Sequence, residues 1–119
     1  MISFHVHVTN ETINMVDYSW FSRMKSDVLI VNTSRGDIIV EKDLVNFLTE
    51  NNKARIATDV LTDEIRNRSK SPLLKFAAKS NQAIITPHIG GMTKEAQEIA
   101  YNHAATILNN HLMELSNNI

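Results

Sequence analysis

Cysteine is missing from all 119 residues, which removes disulfides, zinc–thiolate centres and cysteine nucleophiles from consideration. Glycine is almost missing as well. The three present are Gly36, Gly90 and Gly91, so no Gly-X-Gly-X-X-Gly phosphate turn can be written anywhere in the chain. An excess of one charge is also lacking: 12 Lys and Arg stand against 13 Asp and Glu, a formal net charge of -1. No global field therefore draws the chain to nucleic acid or to an anionic membrane. No apolar run approaches the roughly 20 residues that span a bilayer. Met1 to Val8 has no basic stretch followed by a long apolar one, so it does not read as a secretory signal. These absences fit a cytoplasmic protein with neither nucleic acid nor membrane as partner.

What remains is ordinary for a globular chain of about one domain. Short runs rich in Ile and Val read as strands at Ile2 to Val6, Val28 to Asn32, Arg55 to Val60 and Ala83 to Thr86. Helices are predicted between them, at Asp17 to Met24, Glu41 to Asn51 and Pro72 to Lys79. In the second of these, Leu44, Val45 and Leu48 recur at helical spacing, and acids occupy the first turn, where the helix dipole favours them. Thr93 can cap a long terminal helix running to about Leu115. Its apolar stripe, Ala96, Ile99, Ala100, His103, Ile107, Leu108, Leu112 and Leu115, predicts a core-facing helix. Asn67 to Ser71 reads as a solvated loop. The alternation implies an α/β fold: a parallel sheet of about four strands with crossover helices on both faces. The first strand begins with almost nothing before it, a first hint of a missing upstream part.

Chemistry-bearing residues follow the strands directly, and ligands of open parallel sheets sit just beyond the carboxyl ends of the strands. Arg35, in Val31-Asn32-Thr33-Ser34-Arg35-Gly36, offers a fork that can hold a carboxylate through two hydrogen bonds. By position alone it reads equally well as a surface arginine. His88, in Thr86-Pro87-His88-Ile89-Gly90-Gly91, can give a proton to a carbonyl oxygen or take one from an alcohol. Glu64 can fix the tautomer of an imidazole beside it. Taken singly, His88 is more often a satisfied turn histidine and Glu64 a solvated acid. Asp59 ends a buried strand, where it should accept hydrogen bonds from a ligand amide or nearby backbone, or else cap the following turn. His5 and His7 alternate along the first predicted strand and so share a face. Without Cys, and with no acid before Glu11, they make a poor metal site, and none is predicted.

Four motifs in this order resemble the D-isomer-specific 2-hydroxyacid dehydrogenases over nearly the whole chain. They are Phe4-His5-Val6 followed by Thr9-Asn10-Glu11-Thr12; Val31 to Gly36; Asp59-Val60 with Glu64 five residues past the Asp; and Thr86 to Gly91. The resemblance implies a Rossmann-like sheet with NAD as cofactor and a small 2-hydroxy or 2-oxo acid as substrate. It implies that Arg35 holds the substrate carboxylate, that His88 is the acid/base and that Glu64 orients His88. It implies that Asp59 binds the nicotinamide carboxamide. Val6, His7, Thr12, Thr33, Ser34 and Arg35 would line the dinucleotide, with His88, Gly90 and Gly91 also facing it.

This chain departs from the family pattern at His7 (usually Pro), at Leu61 (commonly aromatic) and at Ile65 (commonly Pro). The glycine turn and the substrate domain of the family are absent. The resemblance thus makes residues 1–119 the C-terminal half of an NAD(P)-binding domain, with residues 93–119 as its terminal helix and no turnover alone. NAD rather than NADP is the family default. An exposed sheet edge or the terminal helix would make it a homo-oligomer. Two other readings keep the same residues: an NAD-sensing module like the family's corepressors, and an interaction or pseudoenzyme fragment with no ligand.

Overall fold

Four short strands lie parallel in the order in which the chain makes them. They are β1 (Ile2–Phe4), β2 (Leu29–Asn32), β3 (Arg55–Thr58) and β4 (Ala83–Ile85), paired β1-β2-β3-β4. Helices α1 (Tyr18–Phe21), α2 (Glu41–Glu50), α3 (Glu64–Asn67) and α4 (Pro72–Ala77) fall between them, and α5 (Lys94–Asn117) follows. This computed structural model describes residues 1–117; the last two residues of the predicted 93–119 terminal helix lie outside the described residues. Two compact units result, Met1–Pro87 and the segment from His88 onward. Each predicted strand and helix forms, and most end one to three residues earlier than expected because backbone pairing stops before the apolar run does.

The register explains which face is buried. Ile2 pairs with Ile30, Ile30 with Ile56 and Ile56 with Ala83, while Phe4, Asn32, Thr58 and Ile85 form the next row on the same side. Ile30, Asn32, Ile56 and Thr58 are all buried. The opposite face carries Leu29, Val31, Arg55, Ala57 and Ile84, with Ile84 67% exposed. Helices were expected on both faces, and the strand order corrects this. Crossovers between parallel strands are right-handed in almost all cases, so adding every strand on the same side puts every crossover helix on one face.

Beneath that face Leu44, Phe47 and Leu48 of α2 point inward, and Phe47 stacks on Phe21 with ring centroids 5.4 Å apart. The inward set thus includes Phe47, while Val45 is only partly buried. Asp17 caps α1 through the amides of Ser19 and Trp20. The Ser19 hydroxyl holds the Asp17 carboxyl below its ordinary value of 3.8; desolvation opposes it, and the backbone amides add smaller lowering effects.

Two further expectations are overturned. Asn67 to Ser71 is not a loop: Asn67 ends α3 and Arg68–Lys70 is a 3-10 turn. Ser71 is buried and caps α4 by accepting from the Leu74 amide. The stripe on α5 faces no core. Ile99, Ile107, Leu108, Leu112 and Leu115 are all at least half exposed, because among the described residues the unit beginning at His88 holds a turn and one helix, with no second element to cover them.

Candidate active site at the strand ends

The turn carrying Arg35 is built by the residue that ends β2. Asn32, 1% exposed, donates through Nδ2 to the Arg35 carbonyl at 2.9 Å. Its Oδ1 accepts from both the amide and the hydroxyl of Ser34, each at 3.1 Å. One buried amide thereby satisfies three polar groups of the turn, and a buried amide left unpaired would be costly. Arg35 stays extended and exposed, and Nη1 donates to the Ser34 carbonyl at 2.7 Å. Its guanidinium stands at the end of β2, where the sequence predicts it.

The end of β3 is tied to the same turn. The Thr58 hydroxyl donates to the Asn32 carbonyl at 2.9 Å, and the Asp59 amide donates to that carbonyl at 3.0 Å. Asp59 is buried, and Oδ1 accepts from the Thr86 hydroxyl just past β4. This bond ties the end of β3 to the segment after β4. The Val60 amide at the following turn goes to the Thr58 hydroxyl at 3.2 Å.

Glu64 starts α3 and is half-buried. Its Oε2 accepts from the Leu61 amide at 3.1 Å, which folds the loop back on itself. Asp63 before it takes a left-handed backbone, φ 50. At two family departures nearby, Leu61 is buried in the core while Ile65 is 95% exposed.

Two residues that the sequence did not single out fasten this loop. Glu41, 7% exposed, accepts from the Thr62 amide at 2.9 Å through Oε1. Through Oε2 it accepts from the Ser71 hydroxyl at 2.6 Å and the Leu73 amide at 3.3 Å. In the sequence Glu41 is only an acid in a first helical turn. Thr62 in turn donates its hydroxyl to the Gly36 carbonyl at 3.1 Å. A Cβ on Gly36 would overlap the backbone of Leu61 and Thr62, so the Arg35 turn and the Glu64 loop meet backbone to backbone.

Beyond the carboxyl ends of β1 and β2 an open cleft of about 440 Å³ is lined by His5, Val6, His7, Val8, Ser34 and Arg35. Because β1 ends at Phe4, His5 and His7 lie past the strand and do not alternate along it; His5 Nε2 meets the Ser3 hydroxyl at 2.8 Å. Thr12 closes this loop, its hydroxyl donating to the His7 carbonyl and accepting from the Thr9 amide at 2.8 Å. A larger cleft, about 740 Å³, opens at the amino ends of the same strands near Trp20 and Met24. It contains none of the residues singled out above, and the carboxyl-end cleft is the one placed as the parallel-sheet rule requires. Its volume, hydroxyl and guanidinium suit part of a dinucleotide.

In the second unit His88 has φ 57, a left-handed conformation rare outside glycine. Met92 donates back to the Ile89 carbonyl at 3.0 Å, and Thr93 caps α5, accepting the Ala96 amide on its hydroxyl at 3.2 Å. Gly90 and Gly91 are exposed, with open space where a Gly91 Cβ would stand.

Four parallel strands joined by crossover helices make a Rossmann-like α/β domain with an open cleft at its strand ends. The family described as D-isomer specific 2-hydroxyacid dehydrogenase, NAD binding domain, matches residues 1–90, and the chain belongs to it. It is 31% identical to a putative 2-hydroxyacid dehydrogenase of Bacillus subtilis over 94% of this chain and 30% of that protein. It is 37% identical to D-3-phosphoglycerate dehydrogenase of Escherichia coli over 82% of this chain and 24% of that one. Among solved structures it resembles NAD-dependent formate dehydrogenase from Staphylococcus aureus in complex with NAD. The TM-score is 0.71 at 30% identity, covering 92% of this chain and 32% of that chain. D-lactate dehydrogenase from Aquifex aeolicus, complexed with NAD and lactic acid, gives a TM-score of 0.72 at 25% identity, over 95% of this chain and 37% of that chain. The chain therefore spans about a quarter to a third of the length of these relatives. Among the described residues, no helix is long and apolar enough to cross a membrane.

Proposed function

We propose that this chain supplies the nicotinamide side of an oxidoreductase active site for a small 2-hydroxy or 2-oxo acid. The observation that carries the reading is the Arg35 turn: its backbone is held by the buried Asn32 amide, and its exposed guanidinium stands at the rim of an open cleft. A guanidinium so placed can take a carboxylate in fork geometry. NAD, when bound, supplies or accepts the hydride.

The chain's own residues do the rest. Arg35 orients the substrate carboxylate. His88 gives a proton to the 2-oxo oxygen in reduction and takes it from the 2-hydroxyl in oxidation, with Glu64 orienting the imidazole. Asp59 accepts from the nicotinamide carboxamide, and Val6, His7, Thr12, Thr33 and Ser34 line the dinucleotide together with Gly90 and Gly91. Lacking a Gly-X-Gly-X-X-Gly turn, the 119 residues have no turnover by themselves. In a chimera where a family relative supplies that turn and the substrate domain, Arg35→Met lowers kcat/KM for 2-oxo acid reduction roughly a hundred- to ten-thousand-fold, the worth of two charge-assisted hydrogen bonds. A loss under about twofold would sink the reading.

The same proposal places the protein in the cytoplasm and makes it a homo-oligomer. Ile84 on the open sheet face and the α5 stripe leave apolar surface that a monomer rarely exposes. Light scattering of the pure chain should give at least twice the monomer mass of 13.5 kDa; a monomer at all concentrations rules this part out.

A further inference from the structure

Glu41 is a buried carboxylate that the chemistry just described does not use, yet it touches the loop on which that chemistry depends. It sits in the first turn of α2 and reaches two other segments. One arm, Oε1, takes the Thr62 amide; the other, Oε2, takes Ser71 and Leu73 at the start of α4. Thr62 lies two residues before Glu64 and passes the constraint on through its hydroxyl to the Gly36 carbonyl, next to Arg35. At that point the two backbones are in contact, with no room for even a Cβ between them. A carboxylate accepting three hydrogen bonds, two of them from main-chain amides, is an anchor with little freedom, because each bond lost would leave a buried polar group unpaired.

We propose that Glu41, acting through Thr62, is a positioning residue that sets the spacing between the Arg35 turn and the Glu64 loop. This inference rests on the roles proposed above for Arg35 and Glu64. Helix α2 then serves as the fixed body: the glutamate at its start holds the loop after β3, and the loop holds the turn after β2. The α4 arm is a separate, structural use of the same side chain. Cutting one arm at a time separates the two uses. Ser71→Ala removes a partner on the α4 side and the α4 cap but leaves the Thr62 bond. Thr62→Val, nearly isosteric, cuts the link to Gly36 while leaving Glu41 and its amide bonds in place.

The test is nuclear magnetic resonance on the whole 119-residue chain, reading amide exchange residue by residue together with the Nε–H signal of Arg35. In Glu41→Ala and in Thr62→Val, protection falls about ten-fold in residues 33–36, the equilibrium worth of one hydrogen bond, and the Arg35 Nε–H signal shifts or broadens. Glu41→Ala also loosens residues 61–64. In Ser71→Ala protection falls only in step with global stability, and the Arg35 signal stays put. If Glu41→Ala does not fold, Thr62→Val decides alone. Uniform loss of protection in Glu41→Ala, indistinguishable from Ser71→Ala, overturns the proposal, as does a Thr62→Val chain with an unchanged Arg35 turn. Failure of the underlying reading looks different: the exchange pattern appears as described, while Arg35→Met retains 2-oxo acid reduction in the chimera.

Discussion

Gly36→Ala should cost about 3 kcal/mol of stability, the upper end for overpacking a site that cannot relax. The Cβ has no flexible side chain to push aside: what it meets is the backbone of Leu61 and Thr62. Relief would require the Glu64 loop to move, and that loop is held by the Glu41 bond to Thr62 and by the Thr62 bond to Gly36 itself. Gly36 has no left-handed backbone to excuse, so the effect is one of space and not of dihedral strain. Urea unfolding of the pure chain measures it. A change below about 1 kcal/mol would show that the two segments separate easily, contrary to the packing described.

His88→Gly should divide stability from function. A left-handed backbone costs a non-glycine residue about 1–2 kcal/mol, and glycine adopts it freely. The gain is partly offset because glycine also loosens the unfolded chain. Relief of the left-handed backbone and loss of the imidazole's own contacts act in opposite directions, so thermal stability should change by no more than about 2 kcal/mol. Turnover in the chimera should fall by about 10²–10⁴, the usual contribution of a positioned acid/base. Both come from one purified variant, by calorimetry and by NADH oxidation with a 2-oxo acid. Undiminished turnover would remove His88 from its proposed role. A large drop in melting temperature would mean that the imidazole is needed by the fold itself.

The sequence carries most elements well because the strands lie in short Ile/Val-rich runs and every helix except α3 has a start signal: Asp17, the acids after Val40, Ser71-Pro72, Thr93; α3, which has no side-chain cap, is not foreseen. It misled on layers, because the choice between one covered face and two depends on strand order, which local patterns do not contain. It misled on α5 for a related reason: a stripe at helical period shows that a face is apolar but not that anything covers it. Arg35 and Asp59 stand at the strand ends because strand endings are local. The groups that hold them were invisible for different reasons. Asn32 reads as one more residue of a strand, and its burial follows from the pairing of Asn32 with Thr58 in the register. Glu41 reads as a helix-dipole acid, whereas its partners Thr62 and Ser71 lie 21 and 30 residues away. Contacts over that distance leave no periodic trace.

The most direct test of the central claim, that the strand-end cleft of this chain takes the nicotinamide side of NAD, is an NADH titration of the pure 119 residues. Energy transfer from Trp20, the single tryptophan, to the reduced nicotinamide reports occupancy. The account predicts saturable transfer that is weakened by Asp59→Ala and by Ser34→Ala. Transfer that never saturates, or that is indifferent to both substitutions, would contradict it.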